Sequence, residues 1–407
     1  MKKVAAALAA LALVHSTQAA ELNKSLLARA EKAKPEVLKL LGRMVNIDSG
    51  SFNGKGLDKV GALAAAELQK LGARIETFPA SPASGHNIQA TFTGKGKGRI
   101  LLVAHLDTVY GDGTAASRPF RIEGHRAYGP GIMDDKGGVA AAIGALKILQ
   151  GYKDYAKITV LLNTNEETGS HGSRALIEKL AKEHDVAFNL EPGRAADGLV
   201  VARKGSGEIE LEVTGKAAHA GSASKDGKNA AQEAAHQLMQ LSDLGDEDKH
   251  TTVNWTVIKS GDRSNVIPDR ASMQADVRVM VAEEFDRVEH DLARLSANKM
   301  IPETRVEAHL VRGFPPMPPS PVTDALAQQA VDIYAELGRK LTLESSGGAA
   351  DASLIFAAGV PTLDGLGIVG GGIHTADEYA EIDSIAPRLY LLARLIQVYG
   401  KGDQLPR

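Results

Sequence analysis

The 407-residue chain contains no cysteine. That excludes disulfides, thiolate nucleophiles and thiolate metal ligands, so any metal site must be built from imidazoles and carboxylates. A long apolar run is also missing. The most hydrophobic stretch, Val4 to Val14, spans about eleven residues, too short for a membrane-spanning helix. No strong charge excess is present either: 47 basic residues against 50 acidic ones give a net charge of −3, which disfavours nucleic acid and anionic membrane surfaces as partners. Short repeats and low-complexity tracts are absent. With 43% hydrophobic residues, the length is ample for a large core and for more than one domain.

The apolar run at the start has the anatomy of a signal peptide. Lys2 and Lys3 precede it, and Thr17-Gln18-Ala19 offers small residues at a cleavage site after Ala19. Removal of residues 1–19 takes the net charge to −5 and predicts a periplasmic or secreted protein. An exported chain without disulfides depends on core packing, bound metal or oligomerisation for stability.

Beyond this leader the pattern is helical from Ser25 to Met44, with an interruption expected at Pro35, and again from Leu57 to Leu71. Alternating signals follow. Arg99–Ala104, Lys157–Leu162 and Val186–Leu190 read as strands buried on both faces, separated by helices near Gly138–Leu149 and Ser173–Glu183. This rhythm predicts an α/β domain with a mostly parallel sheet. After Lys204 the order becomes β-α-β-β-α-β: Glu208–Thr214, Asn229–Leu241, Thr252–Ile258, Ala271–Met280, Glu283–Ala297 and Arg305–Val311. That is the signature of a ferredoxin-like α+β unit. A proline-rich segment from Phe314 to Pro321 reads as a stiff linker, and the α/β rhythm resumes from Val322. The division expected is a catalytic domain in two parts, 20–204 and 315–407, with an inserted ferredoxin-like domain at 205–314.

Five polar clusters sit where the first domain's strands end: His105-Leu106-Asp107, Met133-Asp134-Asp135, Asn165-Glu166-Glu167, Glu191-Pro192 and the glycine-rich Gly370-Gly371-Gly372-Ile373-His374. A histidine at a strand end is more often structural than a ligand, and paired acids are usually solvated loop charges. Five such clusters at strand ends are a different matter, because ligands of open α/β sheets bind in the crevice outside those ends. His105, Asp134, Glu167, Glu191 and His374 offer two imidazoles and three carboxylates. Such a set suits two Zn(2+) ions sharing one carboxylate, each with its own histidine and terminal carboxylate. Asp107, two residues past His105, is placed to accept the other ring N–H of that histidine. Glu166 and Glu167 point to different sides, so one can bind metal while the other serves as general base.

With these segments in view the sequence resembles the M20 family of metallopeptidases, and within it the carboxypeptidase G2-like (glutamate carboxypeptidase) subgroup. The matching motifs are His105-Leu106-Asp107-Thr108-Val109, Tyr128 to Gly138, Asn163 to Ser170, Glu191-Pro192 and His374-Thr375-Ala376-Asp377. The resemblance covers essentially the whole chain after the leader. It implies a metallocarboxypeptidase with two zinc ions per chain and Asp134 as the bridging ligand. His105 and Glu191 would complete one ion, Glu167 and His374 the other, and Glu166 would be the base. It further implies that His219, in Gly215 to Gly221, stabilises the oxyanion, often in the partner subunit's site, and that the inserted domain forms a homodimer. Arg278 and Asn265 would bind the substrate carboxylate and carbonyl region. Gly348, with Gly347 and Asp351, belongs to a glycine-rich loop near the cleft.

The implied substrate is a small peptide or N-acyl amino acid, possibly a folate-type glutamate, cleaved at the amide bond to its C-terminal residue. Two departures from the glutamate-specific pattern stand out. Arg312-Gly313-Phe314 carries an apolar residue where that subgroup has a second arginine, and Leu199 stands near where it has lysine. The rival activities are an aminoacylase or dipeptidase of the same family, or a non-catalytic periplasmic binding protein on a retired hydrolase fold. The presence of all five ligands together with Glu166 argues against the last.

Overall fold

The computed structural model describes residues 21–405, so the leader expected at 1–19 lies outside the described residues. Its centre is a six-stranded sheet in the order Arg74–Pro79, His86–Thr93, Lys157–Asn163, Arg99–His105, Val186–Asn189, Thr362–Leu363. The last four run parallel to one another; His86–Thr93 is antiparallel to both of its neighbours, and Arg74–Pro79 forms the edge at that end. That antiparallel pair was not foreseen, since its burial is incomplete and its pattern weak.

The strand Arg99–His105 shows why uninterrupted apolar runs belong at the centre of such a sheet. Successive side chains point to opposite faces. Ile100, Leu102 and Ala104 therefore enter the larger core, beneath the helices Lys24–Val45, Lys136–Ile148 and Ile385–Gly400. Leu101 and Val103 enter a second core with Ile177, Leu180 and Leu354, beneath the helices Arg174–Lys182 and Asp351–Ala357. Helices thus cover both faces, as the buried strands required.

The first helix corrects one expectation. It runs unbroken from Lys24 to Val45 with Pro35 inside. Pro35 is exposed, so water can satisfy the carbonyl that the ring deprives of a partner, while Ala33, Val37, Leu40, Leu41 and Met44 keep the buried stripe continuous.

Residues 205–312 form a separate four-stranded antiparallel sheet in the order Thr252–Ser260, Arg270–Val279, Gly205–Thr214, Arg305–Arg312. The helices Ala230–Leu241 and Glu283–Ser296 cover one face, over a core of its own that includes Ile209, Leu211, Ala275, Val277, Phe285 and Leu292. This is the ferredoxin-like arrangement. The segment after it is not a free linker. Met317 is fully buried and exchanges backbone hydrogen bonds with Arg203 (2.8 and 2.9 Å), so the chain leaves the inserted unit beside the point where it entered. Phe314 is buried as well.

Candidate active site

The parallel strands Lys157–Asn163, Arg99–His105 and Val186–Asn189 are neighbours, so their carboxyl ends open on one crevice. His105 is the last residue of its strand. Glu166 and Glu167 lie in a single 3₁₀ turn just beyond the next one, and Glu191 follows the third by two residues. Asp134 ends a tight loop before the helix Lys136–Ile148. The fifth residue, His374, lies on the loop joining the short strands Gly370–Gly371 and Tyr379–Glu381. Its φ of 62° is a left-handed conformation that residues other than glycine seldom adopt, as is common where a loop aims a functional side chain.

The side chains converge. His105 Nε2 lies 3.1 Å from Asp134 Oδ1 and 3.6 Å from Glu191 Oε1. His374 Nε2 lies 3.2 Å from Asp134 Oδ2 and 3.2 Å from Glu167 Oε2. Each oxygen of Asp134 therefore faces a different histidine. Glu166 joins His105 and Glu191 in a group whose potential ligand atoms all lie within 4.8 Å of one another.

The surrounding hydrogen bonds hold this arrangement. His105 Nδ1 faces the Asp107 backbone carbonyl at 3.0 Å and the Asp107 carboxylate at 3.3 Å, so the expected brace is shared between main chain and side chain. The Asp107 carboxylate also accepts the backbone N–H groups of Glu166 (3.0 Å) and Glu167 (3.2 Å) and the Ser51 hydroxyl (2.7 Å). Asp135 caps the helix through Gly138 N–H (3.1 Å) and accepts His105 N–H (3.1 Å). Glu378, almost fully buried, accepts the N–H groups of Gly131 (2.9 Å), Met133 (2.9 Å) and Asp134 (3.1 Å) and so clamps the Asp134 loop. Gly131 is needed in that loop: its φ is +67°, and a Cβ there would come within 2.4 Å of Thr108 Cγ2. Asp351 accepts Ser170 Oγ at 2.5 Å and a bond from Asn163.

The electrostatics show whether metal ions fit. Four carboxylates crowd around buried His105 and half-exposed His374. Burial pushes Glu166 well above the usual carboxylate range, with the Glu191 charge adding to it. Burial and then the Asp134 charge push Glu191 up to about 8. Hydrogen bonds to Asp134 and Glu167 raise His374 to about 10. Burial works to raise Asp134, but its bonds from both histidines hold it below its ordinary range. Glu167 Oε1 is buried without a hydrogen-bond partner. The cluster has donor atoms in excess and lacks positive charge, which is the condition divalent cations relieve. The set of nitrogen and oxygen donors fits them.

A cavity of about 520 Å³ opens from this cluster. Arg278, Gly348 and Phe314 line it. Arg278 is also held by Asp276 through paired bonds of 3.0 and 2.8 Å. His219 and Asn265 are not brought into this chain's cavity: both are exposed, His219 on a two-residue β-ladder opposite Val266 and Asn265 just before that strand, with Ala220 N–H donating to the Asn265 carbonyl at 2.9 Å. Three further arginines line the cavity without having been singled out: Arg174, Arg194 and Arg203. Arg174 stacks on Phe314 at 5.3 Å. Arg203 is fully buried, bonded to Asp364 and 3.5 Å from Glu191 Oε2. Arg194 has only a 3.4 Å bond to Ser346 Oγ. Isolated basic residues on a helix, a strand and a loop far apart in the chain carry no sequence signal of this kind; only the fold gathers them.

Fold and site together define a metal-centred α/β hydrolase, with a two-histidine carboxylate cluster at the carboxyl ends of a parallel sheet. Comparison with known proteins makes this specific: the model of "Peptidase family M20/M25/M40" matches residues 101–398, and the chain belongs to that family. It is 39% identical over 404 residues to Carboxypeptidase G2 from Pseudomonas sp. (strain RS-16), covering 98% of this chain and 97% of that one. Among solved structures it resembles aminopeptidase PepT from Bacillus cereus ATCC 10987, with TM-score 0.78 and 21% identity over 90% of this chain and 98% of that one. It also resembles the M20 family metallo-carboxypeptidase Sso-CP2 from Sulfolobus solfataricus, with TM-score 0.72 and 18% identity over 90% of this chain and 99% of that one. The two structural likenesses are likenesses of fold.

Proposed function

We propose that the chain is a zinc-dependent carboxypeptidase that hydrolyses the amide bond between an acyl group and a C-terminal amino acid. The observation that carries this reading is Asp134, whose two oxygens each face one histidine at the mouth of an arginine-lined cavity. In this reading His105 and Glu191 would hold one zinc ion and Glu167 and His374 the other, with Asp134 available to both. Zinc bound there supplies Lewis acidity for the scissile carbonyl and for the attacking water. Glu166, buried beside His105 and Glu191, takes the proton from that water and returns it to the leaving amine. Arg278 and Arg194 receive the substrate's carboxylates, a task suited to planar guanidinium groups. Arg194 supplies a cation that the sequence lacks at Phe314 and Leu199, which favours a C-terminal glutamate. The 39% identity to Carboxypeptidase G2 supports the same activity.

The test is release of the C-terminal residue from N-acyl and folate-like substrates ending in Glu, Leu, Phe or Ala, with a chelator control. Chelator-sensitive release led by Glu is the expected result. Release led by Leu or Phe would keep the chemistry and refute the role given to Arg194. Glu166→Gln should keep the metal and lose turnover by about 10²–10⁴-fold; persistent turnover would remove Glu166 as the base.

We also propose that the chain is exported to the periplasm or beyond by its leader, and that it forms a homodimer through the inserted unit, with His219 completing the partner's site. In support, His219 is exposed and absent from its own cavity, and Met239 (74%) and Ile258 (54%) leave apolar surface on the inserted unit. Mixing His219→Ala with Glu166→Gln chains tests this, since one site of each mixed dimer would be intact. Activity absent from either variant alone and present in the mixture is the expected outcome. Among the described residues no helix is long and apolar enough to cross a membrane.

A further inference from the structure

A second cavity borders the ligand cluster, and the chemistry above leaves it without a role. It has a volume of about 440 Å³ and shares Glu167, and no other lining residue, with the arginine-lined cavity. Its walls are the turn 50–53, after the first helix, and the loop 108–112, after the strand Arg99–His105.

These walls are fastened to each other and to the site. Thr108 N–H donates to the Ser49 carbonyl (3.0 Å), and Ser51 N–H to the Thr108 carbonyl (3.3 Å). Ser51 Oγ bonds the same Asp107 carboxylate that braces His105, and Asn53 Nδ2 donates to Asp112 at 2.6 Å. A Cβ on Gly50 would lie 2.4 Å from the Tyr110 carbonyl oxygen, so glycine is what lets the two segments close this tightly. The Tyr110 hydroxyl is tied to the Thr375 carbonyl (2.7 Å) and to Glu378 (2.8 Å). The cavity is therefore preformed, as small-molecule sites usually are.

What it presents is apolar. Phe52 is 86% exposed and Val109 is 46% exposed, both on the cavity wall. One exposed apolar side chain is ordinary on a protein surface. Here two line one cavity, from two segments fastened to each other, next to a metal-ligand candidate. Among the described residues no lysine or arginine lines the cavity, and of its two acids, Asp112 is engaged by Asn53 and Glu167 belongs to the ligand cluster. A carboxylate meets no cation among these lining residues, whereas the other cavity carries four arginines.

We infer that the Phe52–Val109 cavity is the subsite for the acyl half of the substrate, and that the acyl group it takes is apolar and about the size of a ring or a short alkyl chain. This rests on the carboxypeptidase reading above: the amino-acid half lies among the arginines, the scissile bond lies at the ligand cluster, and the acyl group packs on Phe52 and Val109.

The experiment compares N-benzoyl, N-hexanoyl and N-acetyl derivatives of one C-terminal amino acid, and the corresponding free dipeptide, on the zinc-loaded full chain and on Phe52→Ala and Val109→Ser. Both positions are exposed, so neither change threatens folding. The wild type is expected to favour benzoyl or hexanoyl over acetyl by about ten- to a hundredfold in kcat/KM, the scale of burying one apolar group. Each variant is expected to lose most of that ratio, chiefly through KM. Calorimetric titration of the N-benzoyl compound into the zinc-loaded Glu166→Gln chain, with and without Phe52→Ala, should show the same loss without turnover. Equal rates for all three acyl groups, or a ratio that survives Phe52→Ala, would overturn the subsite while leaving the carboxypeptidase reading intact. Cleavage of the free dipeptide alone would overturn both.

Discussion

The carboxylate of Asp107 accepts the backbone N–H of Glu166 at 3.0 Å while lying 3.3 Å from His105 Nδ1. One buried side chain thus positions a metal-ligand candidate on one strand and the turn bearing the proposed base on the next. It is also the residue that bonds Ser51 in the wall of the second cavity.

Asp107→Asn should therefore damage two functions at once. An amide NH₂ would face either the Glu166 N–H and the His105 ring or the Glu167 N–H and the Ser51 hydroxyl, and each arrangement leaves a buried N–H donor unpaired. A loss of about 10–100-fold in zinc affinity is expected, together with lower kcat. Competition with a chromophoric chelator measures the first. Unchanged zinc affinity would show that Asp107 serves the Glu166 turn alone.

Removing metal should destabilise the fold as well as stop turnover. Glu166, Glu167, Glu191 and Asp134 crowd together with too little positive charge, so cations that bind the folded chain shift its unfolding equilibrium. Thermal denaturation after chelation should give a melting temperature lower by several degrees, recovered when zinc is restored. Identical melting curves would mean that the cluster binds no ion tightly.

Arg194 sets the preference among C-terminal residues in the proposed reading. Arg194→Ala should lower kcat/KM about 10–100-fold for a substrate ending in Glu, on the scale of one charge-assisted contact, and about threefold or less for one ending in Leu. Equal losses on both would assign Arg194 to the α-carboxylate rather than the side chain.

His184, remote from the cluster, supplies a pH test of stability. It is buried between the Leu180 carbonyl (2.6 Å) and Thr159 Oγ1 (2.9 Å), and burial lowers its pKa to about 4. The unfolded value is about 6.5. Between those values the unfolded chain holds the extra proton, so stability falls as pH drops from about 6.5 to about 4 and this contribution is gone below that. The loss from this residue is on the order of 3 kcal/mol. Denaturant unfolding of the wild type and His184→Gln at pH 7 and pH 4.5 measures it: the wild type should show the steeper decline, and parallel declines would contradict the assignment.

Much of the site was legible along the chain because the geometry of a parallel sheet converts sequence position into spatial position. A residue just past a buried strand is carried to the crevice, so His105, Glu167 and Glu191 could be placed by finding strands. The helix Lys24–Val45 was misjudged at Pro35 because local propensity was weighed without knowing which face was buried. The antiparallel strands Arg74–Pro79 and His86–Thr93 went unseen because strands with incomplete burial have no continuous apolar run.

By itself the sequence determined the chemistry available: no thiols, two histidines with acids at strand ends, and a β-α-β-β-α-β insert. It did so because burial patterns have short periods and motifs are local. Only the tertiary structure decided how distant groups meet. Glu378 clamps the Asp134 loop from 244 residues away, Arg174, Arg194 and Arg203 gather with Arg278 around one cavity, and Phe52 comes to line another with Val109. Those relationships follow from chain closure and packing between elements far apart in sequence, which leave no periodic trace in any one segment.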